Sequence, residues 1–180
     1  NAMNAAAALA CALEEGVDVE VARAALPAFR GLENRFTLVP SGACLVVKDY
    51  ISHPTGIRSV LEGARVFAQG RVVAVFKPYR FSMISYLRDE YRVAFSGADV
   101  TLLTEMYTAG EVPIPGVDVP FLVEQIRSTG CEVHFVPEMD GIAPALHGMV
   151  RPGDTVVFFG GDDLFRIADR FSDELKAGVA

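Results

Sequence analysis

Polar side chains gather directly behind the apolar runs of this chain, and those are the places where it could do chemistry. "ACLVV" runs into Lys48, Asp49, Tyr50, Ser52 and His53. "VVAVF" is followed by Lys77, Tyr79 and Arg80. "VTLL" is followed by Glu105, Tyr107 and the loop "TAGEVPIPGVD", and "TVVFF" by Gly160, Gly161, Asp162 and Asp163. Acids, cations and phenols at such tips are groups that hold a polar ligand. Each also has a plainer role open to it. Asp49 suits a turn cap. Lys77 and Arg80 suit solvated loop charges. The diglycine of "FGGDDLF" matches neither a P-loop nor a dinucleotide fingerprint; it suits a flexible strand-to-helix turn as well as backbone recognition of a phosphate. His53, His134 and His147 have no CxxC or HxxxH companions, so no metal site is expected.

The elements that must position these residues follow from the hydrophobic pattern. Residues 3–15 are rich in Ala and Leu and stop at Gly16, which reads as a helix. A second short helix is expected from an Asp18 cap to the region of Pro27. "RFTLV" reads as a strand, Ser41-Gly42 as a turn, and "ACLVVKDY" as a strand covered on both faces, the pattern of a parallel sheet. Helix and strand then alternate: helices over 53–68, 84–95, 119–129, 140–150 and 162–176, and strands within 71–78, 98–107, 131–138 and 154–161. Pro54 suits a first helical turn. His134 alternates with Val133 and Phe135 and is expected on the opposite strand face. The pattern predicts a Rossmann-like α/β fold, an open, mostly parallel sheet with helices on both faces, preceded by a short helical segment. In such sheets ligands lie beyond the C-terminal strand ends, where the polar clusters fall.

The composition narrows the classes. The chain has 180 residues, of which 51% are apolar, and a formal net charge of −7. That charge argues against nucleic acid as a partner. No run approaches the roughly 18 apolar residues of a membrane span, and there is no signal peptide pattern. Cys11, Cys44 and Cys131 lie in apolar stretches without CxxC spacing, so buried free thiols of a cytoplasmic protein are expected.

Several pieces, in order, resemble the C-terminal part of the Mur ligases, above all the members that add L-alanine to UDP-N-acetylmuramate. They are "NAMNAAAALACALEEGVD", "FRGLENRF", "KDYISHPTGI", "VVAVFKPYRFS", "MYTAGEVPIPGVD" and "GDTVVFFGGDDL". The resemblance implies that residues 1–33 are the last helices of a central ATPase domain and that 34–180 are the C-terminal domain. It implies ATP-dependent amide formation through an acyl phosphate, in peptidoglycan synthesis. ATP and Mg2+ are the implied cofactors of the full-length enzyme, neither held tightly by this fragment. The implied partners are the N-terminal and central domains of the same chain, UDP-N-acetylmuramate and L-alanine. Matching positions place Asn1, Asn4, Arg35, Asp49 and His53 at ATP. They place Tyr50, Arg80, Ser52 and Lys77 at the amino acid, with Arg80 on its carboxylate. No GKT or GKS sequence is present, so the fragment is expected to be inactive alone.

The chain departs from the family pattern at Ser52, Gly56, Tyr79, Met83 and Asp162. These departures fit either a divergent alanine-adding ligase or a Mur-ligase-like domain that only binds a nucleotide or a partner. Asn1-Ala2 reads as native sequence or as the remainder of a tag.

Overall fold

A computed structural model describes residues 2–42 and 44–178, and Asn1 therefore lies outside the described residues. The chain divides into two compact units, Asn1–Leu32 and Glu33–Ala180. In the first, α1 (Ala2–Glu14) and α2 (Val19–Ala25) lead into a 3-10 turn, Leu26–Ala28. Asp18 caps α2 by accepting the N–H groups of Glu20 at 2.8 Å and Val21 at 3.4 Å. Pro27 sits in the first turn of the 3-10 segment, where its missing N–H costs nothing.

The second unit is built on β1 (Thr37–Ser41), β2 (Cys44–Asp49), β3 (Val72–Phe76), β4 (Val100–Leu103), β5 (Glu132–Phe135) and β6 (Thr155–Phe159). They form one sheet in the order β1-β2-β6-β3-β4-β5. All neighbours pair in parallel except β1, an antiparallel edge strand on β2. β3, β4 and β6 are buried along their whole length, and their sequences are apolar apart from Thr101 and Thr155.

Helices cover both faces. On one, α3 (Pro54–Phe67), α5 (Arg88–Ala94) and α6 (Val119–Arg127) pack Leu61, Tyr91 and Leu122 with Phe76 and Phe159. On the other, α7 (Ile142–Met149) and α8 (Asp162–Lys176) pack Leu146, Phe165 and Phe171 with Val75 and Phe158. Successive residues of β3 and β6 thus point to opposite cores, as the strand period requires. The helix expected over 84–95 is instead two, α4 (Phe81–Tyr86) and α5, because Leu87 leaves helical dihedrals at φ −114° and ψ 24° and packs against the core. Among the described residues no helix is long and apolar enough to cross a membrane.

The cysteines differ from expectation. Cys11 is exposed and Cys44 and Cys131 are half-buried, all three as free thiols. Cys44 begins β2 and Cys131 immediately precedes β5, and burial at such ends is partial. Burial, with the Asp154 charge beside it, pushes the Cys44 thiol up.

At the N-terminal sheet edge, buried Asp154 accepts the N–H groups of Arg71 at 3.0 Å and Arg151 at 2.9 Å and pairs with the Arg71 guanidinium at 2.8 Å. Burial alone would raise this carboxyl, but the hydrogen bonds from Arg71 and Arg151 outweigh it and hold it below the usual value. A depressed carboxyl stabilises the fold above its unfolded-state pKa, and that contribution is lost as pH falls through the folded value. Asp154→Asn is therefore expected to cost about 2–4 kcal/mol at neutral pH, and less under acid. Urea unfolding at neutral pH and near pH 3 checks this; an equal loss at both would contradict it.

Candidate functional site

The site follows from strand register. Asp49 pairs with Phe159, and Phe159 with Phe76, so β2, β6 and β3 end level. The next residue of each chain segment, Tyr50, Gly160 and Lys77, therefore emerges at the same height. Lys77 N–H donates to the Phe159 carbonyl at 3.0 Å and fixes that alignment. Beyond β4, Tyr107 forms a bridge with Tyr79, its N–H donating to the Pro78 carbonyl at 2.9 Å. The result is a cleft of about 570 Å³ lined by Tyr50, Ser52, Lys77, Tyr79, Tyr107 and the 160–163 turn.

Its polar groups are arranged in pairs. The Lys77 ammonium contacts the Asp163 carboxylate and lies 5.7 Å from the Tyr107 ring centroid. Burial pushes the Asp163 carboxyl up, but the hydrogen bond and charge of Lys77, with the N–H of Leu164, together outweigh it and leave the group below its ordinary value. The Tyr107 and Tyr79 rings stack at 5.7 Å, and the Arg80 guanidinium lies 5.1 Å over Tyr79. Cation, two phenols and cation thus form one column, with an acid beside each cation: Asp163 at Lys77 and Glu111 at Arg80. A side chain at Gly160 would be crowded. A Cβ there would meet the Leu164 Cδ2 at 2.8 Å and the Lys77 Cβ at 3.3 Å.

Not all the residues read from the sequence face this cleft. Asp49 is buried and occupied: it accepts the N–H groups of Phe36 at 2.9 Å and Ile51 at 3.0 Å, with Arg35 Nη1 at 3.9 Å. Burial pushes its carboxyl up, and those partners offset only part of the effect. This is the turn-capping use of an aspartate, extended to the segment before β1. Its partner Arg35 keeps an exposed guanidinium. His53 caps α3, its Nδ1 accepting the Thr55 N–H at 3.3 Å, which leaves the proton of a neutral ring on Nε2. Asn4 is exposed on α1, in the first unit. Arg80 stands outside the cleft lining, behind Tyr79. Met83 packs on the α3/α5/α6 core. The place of a larger residue at Gly56 is filled by Ile51, whose side chain comes within 2.3 Å of a Cβ built there.

Two supporting residues have no signal of their own in the sequence pattern. Buried Tyr91 donates its hydroxyl to the Ser52 carbonyl at 2.5 Å and stacks on Phe76, tying the β2 tip to α5; burial pushes its phenol up. Glu111 bridges to α4 from a loop 29 residues away. Among the described residues no group of three or more His, Cys, Asp or Glu is placed to hold a metal ion.

An open, mostly parallel α/β sheet with helices on both faces defines a Rossmann-like domain, and its polar cleft lies at the parallel strand tips. Residues 34–161 match the family described as Mur ligase, glutamate ligase domain, and the chain belongs to that family. It is 35% identical to the UDP-N-acetylmuramate–L-alanine ligase of Syntrophomonas wolfei over 99% of its length and 39% of that protein's. It is 43% identical to the ligase of the same name from Anaeromyxobacter sp., over 91% of this chain and 36% of that one. The solved UDP-N-acetylmuramate–alanine ligase of Thermotoga maritima superposes with a TM-score of 0.80 at 25% identity, over 99% of this chain and 38% of that one. The chain thus spans under two-fifths of the length of these relatives.

Proposed function

We propose that this chain is the C-terminal portion of a cytoplasmic, ATP-dependent ligase that joins L-alanine to UDP-N-acetylmuramate for peptidoglycan synthesis. The observation that carries the reading is its end-to-end similarity to alanine ligases. In the proposed reaction the muramate carboxylate attacks the γ-phosphorus of ATP, releasing ADP and leaving an acyl phosphate. The alanine amine then attacks the acyl carbon, inorganic phosphate departs, and the amine loses a proton. The first unit, with Asn4, is read as the end of the ATPase domain that holds the nucleotide, and the second as the domain that closes on it.

Within the second unit, the exposed guanidinium of Arg35 suits phosphate oxygens. Asp49 holds the Arg35–Phe36 segment in place, and His53 fixes the start of α3 behind the same tip. Tyr50, Ser52 and Lys77 line the cleft that would receive the amino acid. Arg80, outside that lining on the Tyr79 ring, would pair with a carboxylate that extends past the cleft's edge. Closure over the cleft would keep water from the acyl phosphate. Mg2+ has no ligand set among the described residues, and no step is assigned to it.

The test is an assay of the full-length protein that contains this chain. ADP release is expected only when UDP-N-acetylmuramate and L-alanine are both present, with one amide product per ADP. No ATP consumption with every substrate present would favour a domain that only binds, the reading that the departures at Ser52 and Met83 also fit; consumption that ignores alanine would exclude alanine as the amine substrate.

A further inference from the structure

The loop after β4 delivers a carboxylate to Arg80, the arginine that the proposed function sets against the amino acid's carboxylate. Ala109 and Gly110 take left-handed backbone at φ 52° and 79°, and the Glu111 N–H closes the turn on the Thr108 carbonyl at 3.0 Å. A Cβ on Gly110 would meet nothing within 4 Å, so conformation rather than space favours glycine there. The turn aims Glu111 at the start of α4. Its carboxylate accepts the Ser82 N–H at 3.0 Å and the Ser82 hydroxyl at 2.5 Å, and lies 3.8 Å from Arg80 Nη1.

Arg80 is itself restrained in an uncommon way. Its backbone sits at φ 63° and ψ 133°, a region a non-glycine residue rarely adopts. Its N–H donates to the Tyr107 carbonyl at 3.0 Å and its carbonyl accepts the Ile84 N–H at 3.2 Å. The guanidinium has Glu111 at one edge and the Tyr79 ring at one face, yet the side chain is 45% exposed. A solvated arginine would keep its rotamer freedom, so such restraint on an exposed one is spent on aim.

We propose that Glu111 is a positioning residue: together with Ser82 it fixes the Arg80 guanidinium so that its remaining N–H groups face the carboxylate of the incoming amino acid. The inference rests on the reading of Arg80 given under Proposed function. A neighbouring carboxylate also weakens the positive field of Arg80. Between partly exposed groups that effect is screened, whereas the bonds to Ser82 hold Glu111 where α4 dictates. Those bonds from Ser82 are also the main reason its carboxyl sits below the usual range, so it stays charged at neutral pH.

The experiment is a double-mutant cycle in the full-length ligase, with alanine varied and ATP and the muramate substrate saturating. Glu111→Gln is expected to raise the Michaelis constant for alanine about five- to tenfold, with kcat and the ATP constant within about twofold. Ser82→Ala should move the alanine constant in the same direction, and serves if the Gln variant fails to fold. In an Arg80→Ala background Glu111→Gln should add nothing. The inference is overturned if the two substitutions act independently, or if Glu111→Gln lowers kcat and raises every constant alike. If Arg80→Ala raises the alanine constant and neither Glu111→Gln nor Ser82→Ala does, only the inference fails. If Arg80→Ala leaves that constant unchanged, the reading of Arg80 fails and the inference falls with it.

Discussion

Replacing Arg80 by alanine in the full-length ligase should raise the Michaelis constant for L-alanine about tenfold or more, the loss expected when a charge-assisted pair to the substrate is removed. Arg80→Lys should be nearly as damaging, because an ammonium can neither present a planar fork nor lie on the Tyr79 ring in the same way. The constant for ATP should move little. Steady-state kinetics of both variants, with ATP saturating, decide the matter; a lysine variant that restores alanine binding would show that charge alone suffices. The positive φ of Arg80 supplies a control for backbone effects. Arg80→Gly relieves strain that Arg80→Ala retains, so the glycine form of the 180-residue chain should melt about 2–6 °C higher. Both should bind alanine equally poorly in the full-length enzyme. Met83→Arg is not expected to add a second guanidinium to the site. Met83 packs on the core, and an arginine there would have to abandon that packing to reach the cleft.

The isolated chain should show no turnover of ATP even with UDP-N-acetylmuramate, L-alanine and magnesium present. Its 180 residues contain no GKT or GKS, and its described residues offer no metal-binding group. The lysine of the strand-tip cleft, Lys77, is already matched by Asp163, and Arg80 beside the cleft is matched by Glu111. A triphosphate therefore finds few uncompensated cations there. Phosphate release at the level of a buffer control is expected, together with a thermal shift that does not saturate at micromolar ATP. Stabilisation by a ligand grows only with its concentration over its dissociation constant, so millimolar ATP should be needed for a shift. Turnover above background would mean that the catalytic groups lie within these residues after all.

Hydrophobic period alone revealed most of the elements, although the helix read over 84–95 is two and β1 continues through Ser41. "ACLVVKDY" read as a strand covered on both faces, and the apolar runs Val72–Phe76 and Val156–Phe159 read as strands beside it. Asp18 and Pro54 marked helix starts, because a side-chain acceptor and a preset φ each satisfy a first turn locally. The polar clusters at strand tips were equally legible, since hydrophobic period shows where a buried run stops. Strand order was not. Only the tertiary structure inserts β6 between β2 and β3, and that insertion brings Gly160 and Asp163 beside Lys77, which is 86 residues from its partner acid. Nor does any local pattern report that Asp49 turns inward to the Phe36 N–H, or that Glu111 crosses to Ser82. Periodicity records which face of an element is apolar. Which neighbour covers that face, and which distant donor a carboxylate meets, depends on contacts between segments far apart in the chain, and these form only when the sheet assembles.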